Sequence, residues 1–229
     1  MDKMDHVRDH FEGEAPVYDG VIRNLIPYYP QMVEALVSAL PFDHDDAFNV
    51  LDLGCGTGTV SRAVLDAFPC ARLTCLDIAE NMLGIARRRL SSAQDARFVH
   101  ADFYHYGFDR QYHAVVSSLA LHHLVTPQDK LDFYEKIYDA LKPGGILVNA
   151  DVVLASTDTL QRQYMEHWKS FMLRALPQDE VENVWIPKHY EEDRPVSLLD
   201  HLAMLKEAGF TAMDVVWKYY NFCVYMAVK

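Results

Sequence analysis

Between residues 49 and 153, five short β-prone runs are interleaved with helical runs and joined by connections of a few residues. NVLDL (49–53), ARLTCLD (71–77), ARFVHAD (96–102), HAVVSSLAL (113–121) and ILVNADVV (146–153) read as strands. TVSRAVLDAF (59–68), AENMLGIARRRL (79–90) and PQDKLDFYEKIYDAL (127–141) read as helices, the last stopped by LKPGG. Strands that are apolar along their length and separated by helices pair in parallel and are covered on both faces. Right-handed crossovers then give a doubly wound, Rossmann-like α/β sheet. The alternation ends after the fifth strand. Residues 157–176 read as a long helix, LPQDEVENVWIPKHYEEDRP as irregular, and SLLDHLAMLKEAGF as a helix closed by Gly209. The final run AMDVVWKYYNFCVYMAVK holds two β-rich stretches with no helix between them, which predicts an antiparallel hairpin at the sheet edge. Ahead of the sheet, residues 15–40 read as helical with a bend at Pro27 and Pro30, each of which removes a backbone donor. Half of the 229 residues are hydrophobic, enough for one large core. The chain therefore reads as one domain over 1–229: an N-terminal helical lid (1–44), a ligand-binding core (45–153), a helical insert capping a substrate pocket (154–196), and a last helix with the hairpin (197–229).

The first strand runs into VLDLGCGTG (50–58), whose glycines Gly54, Gly56 and Gly58 open a helix. Open α/β sheets bind ligands at the carboxyl ends of their strands, and glycine there lets backbone approach the ligand closely. Two phosphate readings fail on spacing. The nicotinamide fingerprint is G-x-G-x-x-G, and Thr59 stands where its third glycine belongs; a P-loop ends in a lysine that GTGTVS lacks. Three acids sit at successive strand ends instead. Asp52 lies two residues before the first glycine. Asp77 can accept hydrogen bonds from both hydroxyls of a ribose. Asp102 can reach an adenine amino group while Phe103 packs near the ring. Acids around such a loop suit a cation with a ribose and a base, not a pyrophosphate.

The formal charge is −12, and the longest basic block is Arg87-Arg88-Arg89, read as a solvated helix face, so a nucleic-acid substrate is disfavoured. The four cysteines show neither a CxxC pair nor zinc-ligand spacing. No metal site is expected, and Cys70, Cys75 and Cys223 read as reduced and buried. The polar N-terminus is not a secretory signal, and no run nears the ~18 apolar residues of a membrane span, so a cytoplasmic protein is expected.

VLDLGCGTG, LDIAENML (76–83), HADF (100–103), VVSSLALHHL (115–124) and LKPGGILV (141–148), taken in order, resemble the motifs of class I S-adenosylmethionine-dependent methyltransferases over roughly residues 17–229. The resemblance implies an enzyme with S-adenosyl-L-methionine as cofactor that moves its methyl group to a small-molecule acceptor by in-line displacement. It implies that Gly54 and Gly56, with Cys55 between them, pass close to the methionine part of the cofactor, and that Asp52 helps to hold its ammonium end. Asp77 would bind the ribose, Ile78 and Met82 flank the adenine, Asp102 with Phe103 address its edge, and Ser118 lie near the methionine moiety. YDGVIRNLIPYYPQM (18–32), HLAMLKEAGF and YYNFCVYMAVK are similar, more narrowly, to the branch containing the bacterial carboxy-S-adenosylmethionine synthase of the tRNA wobble-uridine pathway. That likeness implies that Tyr29 touches the cofactor. The branch uses an arginine of its late helical insert to hold the extra carboxylate. The corresponding stretch here, VWIPKH, offers only Lys188, which favours an ordinary methyl donor.

Alignment of donor and acceptor can lower a transfer barrier by ~7–11 kcal/mol, so a catalytic side chain is optional in this chemistry. His122 and His123, just past the fourth strand, are the candidates for taking a proton from an oxygen or nitrogen acceptor; their alternative role is to cap and pack the loop. Asp151, at the end of the fifth strand, is a further candidate. The substrate pocket is expected between the N-terminal segment and the insert, where Tyr18, Arg23, Tyr28, Tyr164 and Trp168 concentrate, with His167, Trp185 and Tyr190 nearby. Arg23 reads either as a clamp for a carboxylate or as half of a surface ion pair. Three rival readings stand beside the small-molecule methyltransferase: a tRNA-modifying or carboxy-cofactor-forming enzyme, a cofactor-binding regulatory or scaffolding protein, and, by fold analogy alone, a nicotinamide oxidoreductase. A homodimer is left open by the sequence.

Overall fold

The computed structural model describes residues 4–93 and 95–229. Five strands run parallel: β1 (Asn49–Leu53), β2 (Arg72–Asp77), β3 (Arg97–His100), β4 (Tyr112–Ser118) and β5 (Leu141–Val152). The expected hairpin is β6 (Ala212–Tyr219) and β7 (Phe222–Val228), with β7 antiparallel to both β5 and β6. The sheet order is β3-β2-β1-β4-β5-β7-β6. The order in which strands are added to the sheet switches sides between β1 and β4, which opens a crevice at their carboxyl ends.

The helices are α1 (Asp5–Glu14), α2 (Tyr18–Leu25), α3 (Tyr29–Ser38), α4 (Thr59–Ala67), α5 (Glu80–Arg89), α6 (Pro127–Ala140), α7 (Asp158–Met172), the single turn α8 (Gln178–Glu180), α9 (Ile186–Glu192) and α10 (Leu198–Glu207). β1 packs both ways, as a doubly wound sheet requires: Val50 joins Leu36 of α3 and Val64 of α4 on one face, while Leu51 and Leu53 join Phe133 and Ile137 of α6 and Leu205 of α10 on the other. A Thr126–Asp129 capping box starts α6.

Four expectations need correction. LKPGG does not lie outside the fifth strand: β5 begins at Leu141, with Gly144 at φ +74° inside it. The stretch read as irregular is helical over 178–192, with a widened π-type turn at Val181–Trp185 between α8 and α9. Pro187 is the second residue of α9 and follows directly on the widened turn. The arginine trio is not wholly solvated, because Arg89 is partly buried, pairs with Asp19 and donates to the hydroxyls of Thr57 and Thr59 at 2.9 and 2.6 Å. Cys70 is exposed, whereas Cys55, Cys75 and Cys223 are buried.

Residues 5–14, polar and mixed in sign, form the helix that roofs the crevice. Val7 is the one residue of α1 that is fully buried, so charges hold the helix in place. The Glu12 carboxylate accepts from the backbone N–H groups of Glu80 and Asn81 at 2.7 and 2.9 Å, satisfying the start of α5. His10 meets Glu192 of α9 at 2.6 Å, and Glu14 pairs with Lys188.

The glycine loop is fixed by Gly54, whose φ is +66° and whose missing Cβ would stand 2.4 Å from the Cβ of Ala120. Gly54→Ala combines a left-handed backbone penalty of about 1–2 kcal/mol with overpacking of about 1–3 kcal/mol. A loss of ~2–5 kcal/mol in urea unfolding is expected; a loss below ~1 kcal/mol would show that the loop relaxes freely.

Candidate active site

A cavity of about 500 Å³ opens at the carboxyl ends of β1, β2 and β4. Gly54, Gly56, Asp77, Ile78, Met82, Asp102, Phe103 and Ser118 line it, under Val7 and Phe11 of α1. A second hollow of about 300 Å³ adjoins it through Tyr18, Gly54, Gly56 and Ser118, and adds Tyr29, Asp52 and Cys55. The structure thus brings together on two joined walls every residue that the sequence suggested for cofactor binding. The three loop glycines act differently. A Cβ on Gly58 would meet Ala86 at 3.2 Å, so this glycine lets α4 close on α5. A Cβ on Gly56 would meet nothing within 4 Å, so of the three loop glycines Gly56 alone has an open Cβ direction, at φ +52°.

The acids here differ in charge state. Asp52 is fully buried; burial raises its carboxyl to about 7, although the Ser61 hydroxyl donates to Oδ2 at 2.6 Å. Its Oδ1 and the Ser118 hydroxyl are buried with no hydrogen-bond partner among the described residues. Asp77 is also raised by burial, to about 6, against the pull of N–H groups from Ala79 and Gly56 at 2.9 and 2.7 Å. For Asp102, burial is outweighed by His105 and by the N–H groups of Tyr104 and His105, and its carboxyl stays below the ordinary range. A cleft with an unpartnered carboxylate oxygen, an unpartnered hydroxyl and a glycine facing space fits a ligand with an ammonium group.

A further cavity of about 710 Å³ lies between α1, α2, α7 and α9. It meets the first at Phe11, Tyr18, Leu119 and His123. Trp168, Trp185 and Phe222 supply much of its apolar wall. Of the expected pocket residues, Tyr18 and Trp168 are here, and the Trp168 indole N–H also pins α7 to α2 through the Leu25 carbonyl at 2.7 Å. Three others lie elsewhere. Tyr28 takes a left-handed φ of +56° at the proline bend, which turns its ring outward against Tyr219. Tyr164 leans on Tyr220 at the hairpin tip. Arg23 follows the cavity-lining Ile22 by one residue, a third of a helical turn away, and borders a separate hollow with Arg62 and Arg89.

His122 and His123 occupy a 3-10 turn after β4, and their roles diverge. Both ring nitrogens of His122 are engaged, Nδ1 with Asp151 at 2.5 Å and Nε2 with Asp193 at 3.3 Å. Burial opposes its charge, but the two carboxylates outweigh burial and push the imidazole up to about 10. It is therefore a cation with no lone pair for a substrate proton at neutral pH. Burial and the neighbouring His122 cation hold His123 down to about 3. Its Nδ1 faces two acceptors, the Glu192 carbonyl at 3.5 Å and Asp193 at 3.7 Å, so the proton belongs on Nδ1. The buried Nε2 lone pair has no partner among the described residues and lies at the junction of the two cavities.

The sequence reading missed Asp193, His189, Glu192, His10 and Lys130. His189–Asp193 and His10–Glu14 carry a local signal, i,i+4 spacing of ligating groups. Lys130 carries none; it is buried, and it donates to the carbonyls of Leu121, His122 and Leu124.

The state of Asp52 sets a pH dependence. Its folded value near 7 lies above the ordinary 3.8, so its contribution to stability is whole below about 4 and is lost as pH rises through about 7. Ligand-free Asp52→Asn is expected to melt above the parent at pH 8, with the difference shrinking as pH falls to 5. Equal melting temperatures at both values would refute a desolvated Asp52.

A protein-family model described as a methyltransferase domain matches residues 50–145. The carboxy-S-adenosyl-L-methionine synthase of Campylobacter hominis is 30% identical over 231 residues, covering 95% of this chain and 93% of that protein. The putative methyltransferase YqeM of Bacillus subtilis is 30% identical, covering 87% of this chain and 86% of that one. Among solved structures, DhpI in its complex with SAH superposes with a TM-score of 0.65 at 20% identity, covering 96% of this chain and 93% of that chain. The chain spans 55% of the larger methyltransferase SibL. The structural likenesses show the fold; the near-full-length sequence relatives show the family. The chain belongs to the class I S-adenosylmethionine-dependent methyltransferases, enzymes whose cofactor is S-adenosyl-L-methionine.

Proposed function

We propose that this enzyme transfers a methyl group to a small-molecule acceptor held between α1, α2, α7 and α9. The observation that carries the reading is the largely apolar cavity walled by Trp168, Trp185 and Phe222, which opens onto the cofactor cleft at Tyr18 and His123. Bound S-adenosylmethionine supplies an electrophilic methyl carried on a sulfonium. Asp52 holds the ammonium end with its free Oδ1, and the Ser118 hydroxyl, Tyr29, Gly54, Cys55 and Gly56 border the same end. Asp77 keeps lone pairs for ribose hydroxyls beyond the two that accept backbone N–H groups. Ile78, Met82, Asp102 and Phe103 enclose the base. His123 offers Nε2 to an O–H or N–H of the acceptor, orienting its lone pair toward the methyl. With a value near 3, this imidazole stays neutral at rest, keeping its one proton on Nδ1, and positions the acceptor. His122 keeps the turn in place. Positioning supplies most of the acceleration in this account.

A second reading is formation of the carboxylated cofactor, the activity named for the Campylobacter hominis relative. Lys188, the insert cation on the cavity wall, is committed to Glu14 and lies over the Trp185 ring at 5.0 Å. An added carboxylate has to compete with Glu14 for it, which favours the ordinary methyl donor.

Incubation with trideuteromethyl-labelled S-adenosylmethionine and a metabolite extract tests the proposal. Labelled acceptor is expected in step with S-adenosylhomocysteine release; cofactor binding without release would favour a scaffold, and a carboxylated sulfonium in the products would favour the synthase. Asp77→Ala is expected to weaken S-adenosylhomocysteine binding about tenfold or more in calorimetry, through lost charge-assisted hydrogen bonds. Unchanged affinity would move the ribose elsewhere.

A further inference from the structure

His122, His123 and Asp193 bring one donor atom each to within 4.8 Å of one another on the acceptor-cavity wall. Nε2 of His122 stands 3.3 Å and Nδ1 of His123 3.7 Å from the same oxygen, Asp193 Oδ1. Donors bound at about 2.0–2.2 Å to one ion stand roughly 3–3.5 Å apart, so small side-chain shifts bring these three around a single centre.

Each of these groups is held from behind. The far nitrogen of His122 meets Asp151 Oδ1, which also accepts from the Val152 N–H at 2.9 Å, while Asn149 donates to Oδ2 at 3.2 Å. The second oxygen of Asp193 is held by His189 Nδ1 at 2.7 Å. Lys130 ties down the carbonyls of the turn that carries both histidines. Outer partners of this kind orient ligands and raise metal affinity. His123 remains open on its other side, where Nε2 is buried and unpartnered among the described residues.

We propose that His122 Nε2, His123 Nδ1 and Asp193 Oδ1 form a site for a divalent transition-metal ion on the wall of the acceptor cavity. Two imidazoles and one carboxylate suit Zn²⁺ or Co²⁺; Mg²⁺ and Ca²⁺ favour oxygen ligands throughout. Three protein ligands leave coordination room for water or for an oxygen of the acceptor, so the site selects acceptors that carry a hydroxyl, carboxylate or enol oxygen. Binding displaces the proton from His122 Nε2. It also leaves the remaining N–H of His123 on Nε2, so the group facing the cavity junction changes from hydrogen-bond acceptor to donor. The metal site rests on ligand geometry and stands whether or not methyl transfer occurs beside it.

Titration of the tag-free 229-residue chain with Co²⁺ at pH 8, followed by visible absorption and calorimetry, tests the site. One saturating equivalent with the d–d bands of a nitrogen- and oxygen-ligated ion is expected. His123→Gln and Asp193→Asn should each weaken binding by about tenfold or more with circular dichroism unchanged, while His44→Gln, at an exposed histidine paired with Asp45, should leave it intact. Where either variant fails to fold, Asp151→Asn replaces it, and a weakening of ~10-fold or more is expected there too. Absence of saturable Co²⁺ binding, or affinity undiminished in these variants, would overturn the assignment. S-adenosylhomocysteine affinity of the same samples reports separately on the cofactor cleft.

Discussion

The desolvation of two carboxyl groups at the ends of neighbouring strands organises the active end of this sheet. Asp52, which stands opposite Cys75, and Asp77, two residues further along, sit on the neighbouring strands β1 and β2, next to a glycine loop whose Gly56 N–H donates to Asp77. Burial there disfavours negative charge, and among the described residues Ser61 and a few backbone N–H groups, but no side-chain cation, are in direct contact with either group. A site built this way is unfinished without a ligand. In the proposed cofactor site, an ammonium group and ribose hydroxyls would supply what the fold withholds and let both groups ionise. The −12 charge of the chain raises no objection, because the cofactor carries a net positive charge at these positions.

The neighbouring cavity, the proposed acceptor side, is built on the opposite principle, with charges paired inside. Asp151 at the end of β5 and Asp193 beyond α9 hold a cationic His122 between them, which locks the insert onto the sheet. α1 completes the enclosure through His10, Glu12 and Glu14, so the roof is held by ion pairs and hydrogen bonds more than by apolar burial. Such contacts are weaker per residue than a packed core and suit a cover that admits substrate. His123 stands where the two regimes meet, kept neutral by burial and by its charged neighbour.

What could be read from the chain in advance was what local spacing encodes. Apolar runs of strand length, the left-handed glycines, and acids at strand ends are properties of a few consecutive residues, and they located the sheet and the walls of the cleft at its strand ends. The hairpin was legible for the same reason. Elements stabilised by distant partners were not. α1 lacks an apolar stripe because its contacts are charged, and 178–192 hid its helicity behind Pro187 and a widened turn. Tyr28, Tyr164 and Arg23 shared a region with Tyr18 and Trp168 but not a direction, since a left-handed turn, the hairpin tip and one residue of helical rotation carry them away from the cavity. The partnership of His122 with Asp193 spans more than seventy residues of sequence, and no periodicity announces it.

The central claim is that the buried acids of β1 and β2 await a cation. Calorimetry of S-adenosylmethionine binding near pH 6, in buffers of differing ionisation enthalpy, measures this directly. Asp52 and Asp77, raised to about 7 and about 6, are partly protonated there in the free protein. Proton release on binding, seen as a buffer-dependent heat that diminishes in Asp52→Asn, is the expected result. A heat that is the same in every buffer would contradict the account.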